Sequence, residues 1–230
     1  MVSVVPALLT CLLTSLADTT VMLVRLVLLC SALLWSALGQ AQEPKILVLG
    51  DSLGASYGVP VSQGWVTLLQ QRLTAKGYPH KIVNASVSGD TTAGGRARLA
   101  PDLRTYSPQI VLIELGGNDG LRGLPVEKMR DNLLAMVQLC QEMDIKPLLF
   151  EMRLPDNYGK DYVDSFTRTF SGVAKETHAP LVPFFLTGIA GDRAKWFQED
   201  GIHPTATAQP RLLDAVWPAL ERVLKGKKPK

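Results

Sequence analysis

The chain has 230 residues and a formal net charge of +3, from 24 Lys and Arg against 21 Asp and Glu. This length is ample for one α/β domain with a well-buried core. Much of the positive excess lies in the tail Lys225–Lys230, which is of a kind that is usually solvated. No basic face carries interleaved aromatic residues, so the composition argues against a nucleic-acid-binding protein.

The N-terminal region has the pattern of a secretory signal peptide. Met22 and Arg25 precede an uncharged apolar stretch at residues 26–38, and small residues follow around 39–41. We therefore expect residues 1–41 to form a cleavable leader, with translation starting at Met22. The protein is then periplasmic or secreted.

The alternative to a cleavable leader depends on which methionine starts translation. If Met1 is used, residues 1–21 add a second apolar run, and the rival expectation is an uncleaved N-terminal membrane anchor. With cleavage, we expect the mature chain to be a single domain at residues 42–230, with a short basic C-terminal tail and no stable membrane span.

The first predicted strand of the mature domain leads to a serine. Residues 45–49 are an apolar, β-branched run typical of a buried strand, and Ser52 follows it in Gly50-Asp51-Ser52-Leu53-Gly54. We expect Ser52 to lie where this strand ends and a helix begins. Backbone N–H groups at such a position can bind the oxyanion that forms when a serine attacks a carbonyl.

These five residues also satisfy the G-x-S-x-G pattern of the α/β-hydrolase elbow. Several strands precede that elbow, whereas Ser52 follows the first strand here. Asp200 and His203 are three residues apart and must therefore share one loop, which also favours a different fold. The spacing of Gly50, Gly54 and Gly58 matches neither a dinucleotide-binding motif nor a P-loop.

Predicted strands and helices alternate along the mature chain. The strands lie at 45–49, 81–85, 110–114, 146–151 and 180–182, and the helices at 62–76, 91–103, 126–142, 160–177 and 207–224. Right-handed crossovers then give about five parallel strands in a flavodoxin-like, three-layer α/β/α sandwich. Pro210 suits the first turn of the last helix, and Pro218 should bend or interrupt it.

Two further motifs follow the second and third predicted strands. They are Asn84-Ala85-Ser86-Val87-Ser88-Gly89-Asp90 and Glu114-Leu115-Gly116-Gly117-Asn118-Asp119-Gly120. Together with the Ser52 motif and Asp200-Gly201-Ile202-His203, they resemble the four blocks of the SGNH, or GDSL, hydrolase family. Within that family, the chain is most similar to the bacterial periplasmic acyl-thioesterase, protease and lysophospholipase group and its arylesterase relatives. The resemblance spans about residue 45 to residue 221.

The resemblance implies a role for each matching residue. Ser52 is the nucleophile, His203 the general base and later acid, and Asp200 holds the histidine tautomer. The oxyanion hole consists of the backbone N–H groups of Ser52 and Gly89 and the side-chain amide of Asn118. Each residue alone has a structural alternative: Ser52 as a helix cap, Gly89 in a turn with positive φ, Asn118 as a loop residue. Four blocks in the family's order favour catalysis.

Two loops after the third and fourth strands are expected to wall the substrate groove. In the family these loops contact the acyl chain. Apolar surface for an acyl group comes from Leu121, Leu124, Leu154 and Pro155, and Arg153 is placed to meet an anionic or polar head group. The alternative is a pair of surface loops with incidental leucines.

The predicted function is an exported serine esterase of broad acyl range, acting on small-molecule esters, thioesters or lysophospholipids. Glycines on both sides of Leu121-Arg122 predict a mobile loop and hence broad specificity. One alternative is a carbohydrate or other short-chain acetylesterase. From another class, the alternative is a non-catalytic ligand-binding module on the same fold, which predicts loss of Ser52, Asn118 or His203. We expect a monomer.

Cysteine and histidine positions predict neither a metal nor another cofactor. The three histidines are widely scattered, and two of the three cysteines lie in the leader. The remaining Cys140 follows Leu133, Met136 and Val137 at helical spacing, which predicts a buried core thiol.

Overall fold

The computed structural model of the protein describes residues 43–226. The predicted leader, its start codon and its cleavage site lie outside the described residues, as do residues 227–230 of the basic tail. Within the described part of the chain, no helix combines the length and the apolar character needed to cross a membrane.

Five parallel strands form the central sheet. They are β1 Lys45–Gly50, β2 Lys81–Asn84, β3 Ile110–Glu114, β4 Lys146–Phe150 and β5 Leu181–Val182. Their order in the sheet is β2-β1-β3-β4-β5, so the direction of winding reverses between β1 and β3. This order confirms the flavodoxin-like arrangement, and ligands of such sheets bind at the carboxyl ends of the strands near the reversal.

Helices cover both faces of the sheet. They are α1 Trp65–Ala75, α2 Thr92–Tyr106, α3 Gly117–Leu121, α4 Val126–Glu142, α5 Lys160–Thr177, α6 Arg193–Trp196 and α7 Gln209–Leu224. Helices α2, α4 and α5 pack side by side in one layer, and α1 packs against α7 in the other. The three-layer sandwich is therefore confirmed. Right-handed crossovers produce this division, because the chain winds in opposite directions on the two sides of β1.

The core lies between the sheet and these helix layers. β1 and β3 are buried along almost their whole length, as expected for parallel strands covered on both faces. Trp65, Phe150 and Phe185 form an aromatic cluster with ring centroids 5.4 to 6.0 Å apart. Cys140 is also buried, as predicted, and burial raises the pKa of its thiol to about 12.

The structure differs from the local predictions at three places. Ser52 does not begin a helix, because the chain passes through an extended turn with positive φ at Ser56 and Gly58, and α1 begins only at Trp65. The short helices α3 and α6 were not expected from the sequence. Of the two effects predicted for Pro218, interruption does not occur, since α7 continues through it and the neighbouring Trp217 and Leu220 are buried against the core; bending of the helix stays a prediction.

Candidate active site

Ser52 lies in the turn that follows β1, at the carboxyl edge of the sheet. The Asp51 carbonyl accepts a hydrogen bond from the Ala55 N–H at 2.9 Å, and the Ser52 carbonyl accepts one from the Tyr57 N–H at 3.0 Å. These two bonds close the turn around the serine. They fix its backbone without placing it in a regular helix.

Ser52, His203 and Asp200 form one continuous row of hydrogen bonds. The Ser52 Oγ lies 2.8 Å from His203 Nε2, and His203 Nδ1 lies 2.6 Å from Asp200 Oδ2. The serine and the histidine are 151 residues apart in sequence. The fold therefore brings together the three residues that the sequence motifs singled out.

The loop that carries His203 is a small, well-bonded hairpin. Phe197 and Pro204 form an isolated antiparallel bridge, and the Gln198 N–H donates to the His203 carbonyl at 2.8 Å. At the tip, Asp200 Oδ1 accepts from the backbone N–H of Ile202 at 2.8 Å and from that of His203 at 3.0 Å. Asp200 therefore holds both the backbone and the ring of the histidine.

The charge of Asp200 sets the tautomer of His203. Burial opposes ionisation of this carboxyl, but hydrogen bonds from the His203 ring and from the backbone of His203 and Ile202 outweigh burial and lower its pKa to about 2. An ionised Asp200 accepts the proton on Nδ1 and leaves the Nε2 lone pair facing the Ser52 hydroxyl. In this arrangement, Nε2 can accept the serine proton.

Tyr57 is a site residue that sequence analysis missed. Its ring centroid lies 4.4 Å from that of His203, with an angle of 38° between the planes. Gln198 of the histidine hairpin donates its side-chain N–H to the Tyr57 carbonyl at 2.9 Å. The serine turn and the histidine hairpin thus support each other, and no local motif around Tyr57 signals this contact.

The three predicted oxyanion donors lie on neighbouring segments at the carboxyl edge of the sheet. Among the residues that the structure describes, neither the Ser52 N–H nor the Gly89 N–H has a hydrogen-bond acceptor. Gly89 has a φ of +78°, which favours glycine. Asn118 is in the first turn of α3, and its Nδ2 donates one hydrogen bond to Asp51 Oδ2 at 3.0 Å.

Two contacts join the chain segments that carry Gly89 and Asn118. Asp119, next to Asn118, accepts hydrogen bonds from the N–H and hydroxyl of Thr92 at 2.8 and 2.6 Å, which joins α3 to the start of α2. Arg122 donates to the Gly89 carbonyl at 2.7 Å. Backbone conformation around Gly89 is therefore coupled to the segment that carries Asn118.

An apolar pocket of about 320 Å³ opens beside Ser52 and His203. Four of the predicted substrate-binding residues line it: Leu121, Arg153, Leu154 and Pro155. The prediction fails for Leu124, which does not line the pocket and is 38% exposed. Its carbonyl instead accepts a hydrogen bond from the Tyr162 hydroxyl at 2.9 Å, at the outer end of the loop.

A second part of the pocket wall was not expected from the sequence. It consists of Met152, Phe184, Leu186, Ala190, Arg193, Phe197 and Ile202. Part of this wall follows β5, so the run Phe184-Phe185-Leu186 was a usable signal. Like the segments after the first four strands, this run lies at the carboxyl edge of the sheet, where ligands of such sheets bind.

The loop at residues 120–125 is held more firmly than its glycines suggest. Gly120 is buried in α3, where an added Cβ would lie 2.6 Å from both Leu154 and Phe166. The Leu121 carbonyl also accepts a hydrogen bond from the Tyr158 hydroxyl at 3.1 Å. Gly123, with a φ of +64° and open space around it, is the residue on which the predicted mobility now rests.

No group of three or more His, Cys, Asp or Glu side chains is arranged to hold a metal ion within residues 43–226. The site instead consists of a hydroxyl, an imidazole, a carboxylate and neutral N–H donors. This donor set suits acyl transfer.

A hydrogen-bonded serine, histidine and aspartate at the carboxyl edge of a flavodoxin-like sheet define a serine hydrolase. The chain belongs to the GDSL-like Lipase/Acylhydrolase family, whose pattern matches residues 48–209. The family resemblance found in the sequence is thus confirmed.

Relatives of known structure or named activity are similar over nearly the whole domain. Esterase TesA of Pseudomonas aeruginosa is 49% identical over 185 residues, covering 80% of this chain and 92% of that protein. Thioesterase 1/protease 1/lysophospholipase L1 of Escherichia coli K12 is 42% identical over 174 residues, covering 76% and 82% respectively. The structure of the psychrotrophic esterase EstA from a Pseudoalteromonas species, inhibited by monoethylphosphonate, superposes with a TM-score of 0.75 at 42% identity, covering 79% of this chain and 98% of that one.

Proposed function

We propose that this protein is an exported serine esterase of broad acyl range, which cleaves oxygen esters, thioesters and lysophospholipids through an acyl-Ser52 intermediate. The observation that supports it best is the hydrogen-bonded row of Ser52, His203 and Asp200, which opens onto an apolar pocket of about 320 Å³. The row supplies an activated nucleophile, and the pocket supplies a place for an acyl chain.

The reaction proceeds in two balanced steps. His203 Nε2 takes the proton from Ser52 Oγ as the oxygen attacks the substrate carbonyl, and the negative oxygen binds the N–H groups of Ser52, Gly89 and Asn118. The histidine then gives this proton to the departing alkoxide or thiolate, which leaves an ester on Ser52. The same nitrogen then takes a proton from water as the water oxygen attacks this ester, and it returns that proton to Ser52 Oγ as the C–O bond to the serine breaks, which releases the carboxylic acid and restores the free serine.

The pocket lining favours an apolar acyl group over an acetyl group in a polar setting. Leu121, Leu154, Phe184 and Leu186 face the cavity, with Arg153 beside them. Arg153 is paired with Glu151 at 2.8 Å, which keeps its charge largely compensated. Export argues against acyl-coenzyme A as the physiological substrate, because that pool is cytosolic, so thioester cleavage is an incidental capacity of the same site.

Rates on matched oxygen esters and thioesters from acetyl to palmitoyl test this proposal. We expect kcat/KM to rise by about fourfold per added CH₂, since each buried CH₂ contributes about 0.8 kcal/mol, until the pocket is filled. Leu121→Ala should shorten the preferred chain. Leu124→Ala, outside the pocket, is the matched control and should leave it unchanged. An acetyl-only profile would instead identify a short-chain acetylesterase.

Export follows from the leader rather than from the described domain. The apolar stretch at residues 26–38, preceded by Arg25, supports cleavage near residue 41. Expressed from its natural start in a Gram-negative host, the protein should be released by periplasmic extraction, with a first residue near 42 by N-terminal sequencing. Recovery of the uncut chain in the membrane fraction would support the anchored alternative.

A further inference from the structure

Two carboxyl groups are buried together beneath the serine turn. Glu114 is the last residue of β3 and is fully buried, and Asp51, next to Ser52, is 3% exposed. The strand register places Glu114 opposite Gly50, directly under the turn. Within residues 43–226, no Lys or Arg side chain pairs with either carboxyl group. Two buried negative charges without a cation would be strongly destabilising.

The hydrogen bonds of Glu114 use only one of its two oxygens. Oε2 accepts from the backbone N–H of Asp51 at 3.2 Å and from that of Gly54 at 3.1 Å. Oε1 is buried and has no donor in the described residues. An oxygen in this position is satisfied if it carries a proton and donates to a nearby acceptor.

Asp51 has the complementary pattern, because both of its oxygens accept. Oδ1 accepts from the Leu53 N–H at 3.0 Å, and Oδ2 accepts from the Asn118 Nδ2 at 3.0 Å. Burial raises the pKa of Asp51 to about 6, while the hydrogen bond from the Leu53 N–H acts in the opposite direction. Burial and then repulsion from Asp51 raise the pKa of Glu114 well above its usual range.

We propose that Glu114 is a neutral carboxylic acid whose Oε1–H donates to the Asp51 carboxylate, and that this pair positions the Asn118 amide for the oxyanion. Asp51 must accept from Asn118, so the amide nitrogen faces the site and its second N–H points toward the reacting oxygen. The proposal rests on the proposed function, which gives Asn118 its task. Glu114 touches no substrate and is a positioning residue.

The two glycines of the G-x-S-x-G pattern make room for this pair. A Cβ on Gly50 would lie 2.5 Å from Glu114 Oε2, and a Cβ on Gly54 would lie 3.1 Å from it. Ser86 Oγ would be even closer to Gly54, at 2.3 Å. The motif that resembles a nucleophile elbow therefore has a different physical basis here, as it seats a carboxyl group against the backbone of the serine turn.

Among residues 43–226, few other charges act on Glu114 and Asp51. His203, on the hairpin above, is the titratable group whose charge lowers the pKa of Asp51. From α2, Arg98 reaches the Gly50 carbonyl at 3.3 Å, but its charge is paired with Asp90 and Asp102. The negative charge beneath the serine turn is therefore reduced by the proton on Glu114 and not by a neighbouring cation.

Glu114→Gln and Glu114→Leu separate this proposal from simple packing. A glutamine oxygen can replace Oε2, and its N–H can replace the acid proton, so we expect kcat within about threefold of wild type. The leucine variant should lose kcat on the order of 100-fold, as should Asn118→Ala, with KM almost unchanged. Circular dichroism and melting temperature verify folding. A Gln variant that loses as much kcat as the Leu variant would overturn the proposal.

Infrared spectroscopy detects the proton itself and is independent of activity. Above the Asp51 pKa of about 6, wild type should retain a protonated-carboxyl C=O band that shifts in D₂O and is absent from Glu114→Gln. The matched control is Asp119→Asn: Asp119 is equally buried but accepts two hydrogen bonds from Thr92, so the variant should keep the band and melt several degrees lower. Absence of the band from wild type would refute a neutral Glu114. Activity that survived in Ser52→Ala would instead refute the proposed function and leave the band intact.

The pH dependence of the unfolding free energy provides a second test of the protonation of Glu114. Because the folded-state pKa of Glu114 is raised, its contribution to stability is complete below its usual pKa of 4.5 and is lost as the pH rises toward the folded value. Glu114→Gln should therefore show a smaller fall in unfolding free energy between acidic and alkaline pH. Equal slopes in the two proteins would contradict a raised pKa at this residue.

Discussion

Replacement of Ser52 by alanine should lower kcat by on the order of 10⁶-fold, with KM close to that of wild type. Alanine removes the oxygen that lies 2.8 Å from His203 Nε2 but leaves the backbone N–H of residue 52 and the apolar pocket in place. Substrate therefore still binds, while the acyl-serine intermediate cannot form. Steady-state kinetics on the preferred ester, together with labelling by a fluorophosphonate probe, measure both consequences.

The same experiment tests whether serine and histidine act as one unit. His203→Ala should lose about as much kcat as Ser52→Ala, and the double variant should lose no more than either single variant. Losses that multiplied in the double variant would show that the two residues act independently. Turnover or probe labelling that survived in Ser52→Ala would place the nucleophile elsewhere.

Much of the fold was predictable because its determinants are local. β1 and β3 are continuous apolar runs, which are typical of parallel strands covered on both faces, and α4 and α5 bury mainly apolar residues at helical spacing. The serine turn was not predictable in this way. The start of α1 at Trp65 is close to the predicted 62, but the turn at residues 51–58, with positive φ at Ser56, was expected to be the start of a helix, and nothing in the local sequence indicates it.

The positions of the site residues were predictable to the extent that they follow strand ends. Ser52, Gly89 and Asn118 come after β1, β2 and β3, and the carboxyl ends of adjacent parallel strands meet at one edge. Contacts that depend on side-chain packing across the fold were not predictable from the sequence. Tyr57 contacts His203 where the serine turn meets the histidine hairpin, and Leu124 lies outside the pocket, where its carbonyl accepts a hydrogen bond from Tyr162 of α5. No periodic pattern in the sequence indicates either arrangement.

For Glu114, the sequence indicates the residue but not its protonation state. A charged residue that ends an otherwise apolar strand is unusual, and this signal was visible in the sequence within the Glu114-Leu115-Gly116-Gly117-Asn118 motif. Its protonation was not visible, because it depends on the proximity of Asp51 and on the burial of both groups. The sequence motif thus identifies Glu114, whereas its charge is determined by the surroundings that the fold creates.

Asp200→Asn should lower kcat by on the order of 10⁴-fold without unfolding the histidine hairpin. An asparagine oxygen can still accept from the Ile202 and His203 N–H groups, as Asp200 Oδ1 does. The asparagine N–H, however, faces His203 Nδ1 and favours the tautomer with the proton on Nε2, which then cannot accept the Ser52 proton. The exposed neighbour Glu199 offers a matched control, and Glu199→Gln should have wild-type kcat.

The pH dependence of this variant separates orientation from titration. Because the folded-state pKa of Asp200 is lowered to about 2, its contribution to stability is present above the usual value of 3.8 and is lost only as the pH falls toward 2. Asp200 is thus ionised throughout the working range, and its own titration cannot shape the activity profile there. The loss in Asp200→Asn should accordingly be similar from mildly acidic to alkaline pH. A variant that retained more than about a tenth of wild-type kcat would show that His203 does not depend on Asp200 for its tautomer.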